Sequence, residues 1–431
     1  MEPSHLPEVR EQYELLPYPA RSPMDERHRL VTTWLDDLPM LNQYCFRGRQ
    51  DFSDGFRVLV AGGGTGDGTI YLAEQLKHTD ASIVHLDLSE SSTAIARQRA
   101  EVRSLTNITW IRDSLLNLPR LGLGEFDYIN CSGVLHHLED PDLGLNALMS
   151  CLKTDGAIGL MVYGKHARVG VYQMQELLRL MNKNSTEGVQ EKIAIARSLV
   201  DAMPKTNWFR RGEELYWDFR NGPEGVYDLL LHSQDRAYTV GELYEWIADM
   251  HGLSIAFTDV MRGSAVYSPQ LLLGNSKPAL IEMFQNMTAR QCHVAAELIS
   301  GTLVTHSFYV TRDRETQAPY GDAEFIPFLL HDAIDGPQMA KVVEKAAGER
   351  ITLNHAPSGI VAQVSPGRFG KYIFNNMDGK RTFREIFDAV RAIKKFHAHG
   401  LSDAELFEDF REMFEFFRAI DRIFLRHASC R

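Results

Sequence analysis

The chain is predicted to be an α/β protein built on a doubly wound parallel sheet, followed by a smaller, mainly α-helical domain. Three observations carry that prediction. Short apolar runs alternate with amphipathic helical stretches from Phe56 to Thr258, the rhythm of strand–helix–strand units. A glycine-dense turn, Gly62-Gly63-Gly64-Thr65-Gly66, joins the first such run to the first helix. The second run, SIVHLD, ends in an acid, Asp87. Ligands of such sheets sit at the carboxyl ends of the strands.

The first 24 residues carry EQYELLPYPARSP, with Tyr13, Tyr18 and prolines at 17, 19 and 23. Proline fixes φ and removes a donor, so an extended arm flanked by helix is expected, either folded over a ligand pocket or tethered to the surface. HRLVTTWLDD, His28 to Asp37, has apolar residues at helical spacing and is expected as a helix. FRVLVA is the first strand. The glycines after it let the backbone turn sharply and approach a ligand, and the helix that begins near Gly66 points free N–H groups at the same place. Asp87 is spaced to accept from a ribose diol, so the unit reads as a nucleoside site.

No register supplies G-x-G-x-x-G: from Gly62 the last position is Asp67, from Gly64 Thr69, from Gly66 Tyr71. A phosphate loop starting at Gly63 would end Gly68-Thr69 where Gly-Lys is needed. Dinucleotide and nucleotide-phosphate sites are therefore disfavoured.

A helix follows over Ser91 to Arg103, then a third strand, Ile108 to Ile111, which leads into Arg112-Asp113-Ser114. FDYINC is the fourth strand and runs into SGVLHHLEDP, a helix is expected over Leu143 to Leu152, and AIGLMVY is a fifth strand, apolar throughout as a strand buried on both faces should be. Residues 165–238 break the rhythm with helical and aromatic segments, either the wall of an acceptor pocket or simple bulk. YTVGELYEWIADMHGL is a helix capped by Thr239 and stopped at Gly252, and SIAFTDV is a sixth strand.

The expected domains are an arm and helix over 1–55, a catalytic domain over 56–270 with its helical insertion at 165–238, and a C-terminal domain over 275–431. That last domain shows helices near Arg368 to Asn376, Phe383 to Ile393 and Ala404 to Ala419, then a strand, RIFLRH, an order similar to a winged helix. Phe383, Ile386, Phe387 and Val390 on one helix, and Phe407, Phe410, Met413, Phe414 and Phe417 on the next, are spaced to build a core of their own.

The chain has 431 residues, a net charge of −11, 44% hydrophobic and 24% charged residues. The length suits two domains, and the charge argues against nucleic acid as the main partner. No run reaches the length of a membrane span. The cysteines at 45, 131, 151, 292 and 430 are odd in number and form no C-x-x-C pair, which favours reduced thiols in a cytoplasm.

Together, VLVAGGGTG with its G-x-G-x-G spacing, Asp87 in HLDLS, Asp113 in IRDS and FDYINCSGVLHHLEDP resemble the successive motifs of class I methyltransferases that use S-adenosylmethionine (SAM). The resemblance implies a Rossmann-like sheet of seven strands, SAM as methyl donor and S-adenosylhomocysteine as product. It implies cofactor contacts from Gly62, Gly63, Gly64, Gly66, Asp87, Leu88, Asp113, Ser114 and Cys131, with Tyr13 and Tyr18 contributed by the arm. Asp113 has a rival role as a helix cap. One position departs from the family: an acid often precedes the first glycine by two residues, and Val60 stands there.

The ends, YELLPYPARSP and NNMDGKRTFREIFDAV, resemble bacterial methyltransferases with a C-terminal regulatory domain, and the latter stretch is also similar to peptide-clasping modules of the PqqD type. A protein or peptide acceptor is thereby implied beside a small-molecule one, and oligomeric state is left open, a homodimer included.

Methyl transfer from a sulfonium is an in-line substitution, so alignment and exclusion of water do most of the work. A base helps only if the acceptor arrives protonated. His136 and His137 are the candidates, with structural hydrogen bonding as the alternative role. A metal site is not expected, because adjacent histidines do not easily chelate one ion and no third ligand stands at metal spacing. Tyr163, Arg168, Tyr172 and His232 are candidates for the acceptor pocket. The competing reading is a degenerate SAM-binding scaffold that holds a partner through its C-terminal domain.

Overall fold

The computed structural model describes residues 7–183, 187–259, 262–274, 278–331, 334–346, 348–394, 396 and 400–430. They form two compact units, one made of 1–36, 52–255 and 300–312, the other of 37–51, 256–299 and 313–431.

The first unit is built on a mixed, mostly parallel sheet. Its strands are β1 (Arg57–Ala61), β2 (Ser82–Asp87), β3 (Ile108–Arg112), β4 (Phe126–Ser132), β5 (Leu152–Gly164), β6 (Ala237–Tyr238), β7 (Ser254–Thr258) and β8 (Thr305–Thr311). The order is β3-β2-β1-β4-β5-β8-β7, with β6 beside the end of β5. Strands β1 to β5 pair in parallel, whereas β8 runs antiparallel to β5 over Ala157 to Tyr163. Ala157, Ile158, Leu160 and Val162 are fully buried, which is why that segment carries no polar alternation.

Three expectations are corrected here, and a fourth is refined. The seventh strand is β8, THSFYVT, which lies beyond the predicted end of the catalytic domain at residue 270 and yet sits inside the sheet. His28 to Asp37 is not a helix: short 3-10 turns occur at Pro23–Arg27 and Trp34–Asp36, and Val31-Thr32-Thr33 between them is irregular. Three β-branched residues in succession lose side-chain freedom in a helix, and that cost outweighs the apolar spacing. The helix placed at Leu143 to Leu152 is Pro141–Met149, capped by Asp140, and Leu152 already opens β5. The segment after Thr239 starts as an α-helix with a Thr239–Glu242 capping box and widens to a π-helix over Tyr244–Met250.

The insertion is helical, with helices Val169–Asn182, Val189–Ala202 and Gly222–Leu230. Val171, Met174, Leu178, Ile193, Ala196, Val200, Phe209, Val226 and Leu229 close into one buried cluster.

In the second unit, β9 (Phe325–Leu329) pairs antiparallel with β12 (Ile423–His427), and β10 (Ile351–His355) with β11 (Ile360–Val364). The helices Gly370–Asn376, Phe383–Arg391 and Asp403–Ala419 follow the hairpin. Capping boxes at Thr382/Glu385 and Ser402/Glu405 start the last two. All nine apolar residues singled out on these helices are buried in one core with Phe374, Phe325 and Leu425. The terminal strand pairs with β9 from an earlier part of the chain rather than folding back as a hairpin. Among the described residues no helix is long and apolar enough to cross a membrane.

Candidate active site

At the carboxyl end of β1, Gly62, Gly64 and Gly66 have φ of 75°, 52° and 97°, the left-handed region that a side chain adopts at a cost. A Cβ on Gly63 would lie 2.4 Å from the buried His85 ring, and one on Gly66 would lie 2.8 Å from Ala96. Those glycines let the loop lie flat on β2 and on the helix Glu90–Val102. A Cβ on Gly64 would meet only the Tyr18 carbonyl, at 3.0 Å, so the open side of the turn faces the N-terminal arm.

Asp87 braces this turn. One carboxylate oxygen accepts from the Gly64 N–H at 2.7 Å and the other from the Ser89 N–H at 2.8 Å, which leaves lone pairs on both for a diol. Burial raises its pKa above the ordinary aspartate value, against the pull of those amides. Asp113 accepts from the Ser114 N–H and the Asn117 side chain, both at 2.7 Å, and Ser114 caps the turn that follows. Leu88 is half-buried between them and Cys131 is wholly buried in β4.

The arm crosses the same place. Glu14 accepts from the N–H groups of Glu90 and Ser91 at 2.9 and 3.0 Å, Thr65 donates to the Pro19 carbonyl at 2.7 Å, and Arg21 pairs with Asp67 at 2.6 Å. Asp67 also holds the buried Arg99 at 2.7 Å. Where Val60 stands in place of the usual acid, Asp36 supplies a buried carboxylate that the sequence reading did not weigh. It lies 2.7 Å from the Asn130 amide, and a Cβ on Gly68 would come within 2.8 Å of it.

The other end of the arm reaches the insertion. Tyr18 donates to Asp218 at 2.6 Å, and Tyr13 donates to Asp228 at 3.1 Å. Tyr163, at the end of β5, donates to the second oxygen of Asp228, also at 3.1 Å. His137 stacks on His232 with ring centroids 3.9 Å apart. The Arg168 guanidinium lies over the Tyr163 ring at 3.6 Å, with Asp235 3.6 Å away, and Tyr172 is 5.9 Å from the same cation. The predicted acceptor-pocket residues and the histidine pair thus meet in one cluster.

Ring tautomers follow from backbone partners. The Gln234 carbonyl accepts a hydrogen bond from the Nδ1–H of His137 at 2.8 Å, so Nε2 keeps a lone pair in the neutral ring. His232 is the reverse: Nδ1 accepts from the Gln234 N–H at 3.0 Å, which places its proton on Nε2, 3.3 Å from the Tyr13 hydroxyl. Burial pushes His137 down to about 4 and His232 to about 2, and His136, wholly buried against Tyr163, lower than its ordinary value. Burial and the nearby Asp218 push Asp228 up to about 7.

Ligand-type atoms of His137, Asp228 and His232 lie within 4.8 Å of one another, a third partner that the sequence spacing did not reveal. The backbone N–H on His232 Nδ1 and the proton on its Nε2 leave that ring without a lone pair for an ion. The trio is held instead by the Tyr13 hydroxyl, which bonds both Asp228 and His232, and by the stacking of His137 on His232. Asp228 is the residue that sequence reading missed; its signal was its place four residues before His232, which lies just past the end of the same helix.

A methyltransferase-domain family model matches residues 59–158. An uncharacterized protein of Synechococcus sp. is 32% identical over 321 residues, 74% of each chain. The ubiquinone biosynthesis O-methyltransferase of Acinetobacter baylyi is 24% identical over 134 residues, 30% of this chain and 55% of that enzyme. Among solved structures, PKMT2 from Rickettsia typhi in complex with AdoHcy aligns over 93% of this chain and 77% of that one, with a TM-score of 0.62 at 14% identity, a likeness of fold. The chain belongs to the same family as the Synechococcus protein, and it is a class I SAM-dependent methyltransferase.

Proposed function

We propose that this methyltransferase moves a methyl group to a nucleophilic nitrogen or oxygen of a protein, peptide or small-molecule acceptor at the cluster beside β4 and β5. The observation that carries the reading is the convergence of Tyr13, Tyr163, His137, Asp228 and His232 at the strand ends, next to the glycine turn braced by Asp87.

Gly62, Gly63, Gly64, Gly66, Asp87, Leu88, Asp113, Ser114 and Cys131 would hold SAM, with Tyr13 and Tyr18 closing over it. The glycine turn fits such a ligand, since it presents bare backbone at the end of β1 and Asp87 offers two acceptors. SAM, when bound, supplies an electrophilic methyl on a sulfonium. The chain's own share is to orient the acceptor against Tyr163, Arg168, Tyr172 and His232 and to keep water out. Tyrosine faces also favour a nearby sulfonium charge.

The C-terminal domain, regulatory and winged-helix-like, is proposed to present a partner or a protein acceptor, and the division at 1–55, 56–270 and 275–431 is kept for function except that β8 completes the catalytic sheet. The likeness to the Rickettsia fold over most of the chain supports that role, and the name of the Acinetobacter relative supports an oxygen acceptor. A cytoplasmic location is proposed from the five free cysteines, three of them buried.

Full-length protein incubated with tritiated SAM and cell extract, then separated into protein and small-molecule fractions, tests the reading. Label in neither fraction, with SAM bound, refutes it.

A further inference from the structure

Any acceptor that arrives carrying a proton must lose it, and a proton left in a closed site opposes the reaction. The sequence pointed to the histidine pair. The structure assigns the role elsewhere: we infer that Asp228 is the terminal proton acceptor of the methyl-transfer site, reached through the phenol oxygens of Tyr13 and Tyr163. This rests on the methyltransferase reading above.

Geometry carries the inference. Asp228 is 3% exposed, and its two oxygens are divided between two phenols that come from opposite sides, Tyr13 from the arm and Tyr163 from β5, each at 3.1 Å. Each phenol donates to the carboxylate, so each keeps acceptor capacity on its own oxygen, which at Tyr13 is shared with His232 Nε2–H. The chain His232 Nε2–H, Tyr13 hydroxyl, Asp228 runs in one direction, toward the carboxylate. His137 has a free lone pair at Nε2, but its ring is stacked on His232 and beside Arg168 in a buried site, where a positive charge is costly.

The groups that face Asp228 agree. Tyr13 and Tyr18 come from the arm, Tyr163 from β5, Asp218 from the turn at 217–220, Arg168 from the turn after β5, and the neutral His232 from the end of its own helix. Arg168 is matched by Asp235, so Asp218 and burial dominate and lift Asp228 to near neutrality, the best placing for a group that takes and returns a proton at physiological pH.

The step balances. The acceptor's lone pair forms the new bond to the methyl carbon, and the carbon–sulfur pair stays on sulfur. The acceptor's proton passes to a phenol oxygen as that phenol's own proton moves to Asp228, which ends as a neutral carboxylic acid and returns the proton to water before the next turnover.

Infrared difference spectroscopy of the full chain between pH 5 and 9 tests this without an acceptor, against Asp228→Asn and Asp218→Asn. A protonated-carboxyl band that disappears around neutral pH in the wild type and at lower pH in Asp218→Asn, and is missing from Asp228→Asn, supports the assignment. Its absence from the wild type, or its survival in Asp228→Asn, overturns it. A second arm measures kcat/KM against pH with a lysine-bearing peptide and with catechol as amine and hydroxyl probes, while calorimetry follows SAM binding. For a methylated probe the wild type shows a rising limb near pH 7, and Asp228→Asn loses that limb together with about 10²-fold or more in rate while still binding SAM. His137→Gln leaves the limb at the same pH. A limb displaced by His137→Gln and untouched by Asp228→Asn overturns the inference. If SAM binds but neither probe is methylated, neither probe is an acceptor and the infrared titration decides the assignment.

Discussion

Replacing Asp87 by alanine tests the cofactor site at the residue that braces its turn. The carboxylate bridges Gly64 and Ser89, with N–H to oxygen distances of 2.7 and 2.8 Å, so it sets the shape of the turn as well as offering acceptors to a ribose. A hydrogen bond to a charged group contributes roughly 1.5 to 3 kcal/mol in a partly dry site. Two of them, lost together, come to about 3 to 6 kcal/mol, and with tenfold per ~1.4 kcal/mol the affinity for S-adenosylhomocysteine falls roughly 10² to 10⁴-fold. Asp87→Asn, which keeps one carbonyl oxygen and no charge, falls between. Titration calorimetry on the full chain reads both, and circular dichroism checks that the fold survives the loss of two amide partners. Because burial raises the Asp87 pKa, affinity in the wild type is full at high pH and declines as pH falls through that raised value, where the carboxyl gains a proton and loses acceptor strength. Wild-type affinity in a folded Asp87→Ala protein would refute the site.

Other expected outcomes concern the fold and its linkage to pH. Gly63→Ala forces a methyl to within 2.4 Å of the buried His85 ring, which is held by Thr69 at 2.8 Å, and is expected to cost about 1 to 3 kcal/mol in a denaturant titration; a neutral result would mean that the ring has room to move. Gly64→Val, strained at a φ of 52° and with its Cβ 3.0 Å from the Tyr18 carbonyl, should cost about 1 to 3 kcal/mol of stability and lose SAM binding, and retained binding in the folded variant counts against a ligand at that turn. A chain ending at Ser268 lacks β8, which lies between β5 and β7, and is expected to be insoluble; a folded SAM-binding product would show the sheet closing without it. Asp421 is held by Tyr44 at 2.6 Å and Thr258 at 2.7 Å, and burial raises it to about 6. Its protonated form is favoured by folding, so its contribution is full below the ordinary value of 3.8 and lost as pH rises through about 6. Asp421→Asn should therefore gain on the wild type by about 2 to 3 kcal/mol between pH 4 and 7, and a constant difference would contradict this.

The elements legible in the sequence were those whose cause is local. The glycine turn, the acids at 87 and 113, the apolar strand of β5, the Thr239 cap and the two aromatic helix faces near the end each declare themselves within a few residues, because backbone sterics, caps and periodicity act over that range. His28 to Asp37 misled for the same reason in reverse, since apolar spacing was weighed without the β-branched run inside it. What only the tertiary structure decided was partnership across the chain. β8 reads as an ordinary apolar segment after a long helical stretch, and nothing near it says that it inserts beside β5, some hundred and fifty positions earlier. Asp228 is one acid on an insertion helix until Tyr13, 215 residues away, and Tyr163, 65 away, close on its two oxygens. Pairing of strands and burial of a carboxylate depend on which surfaces meet, and that is a property of the folded chain rather than of any stretch of it.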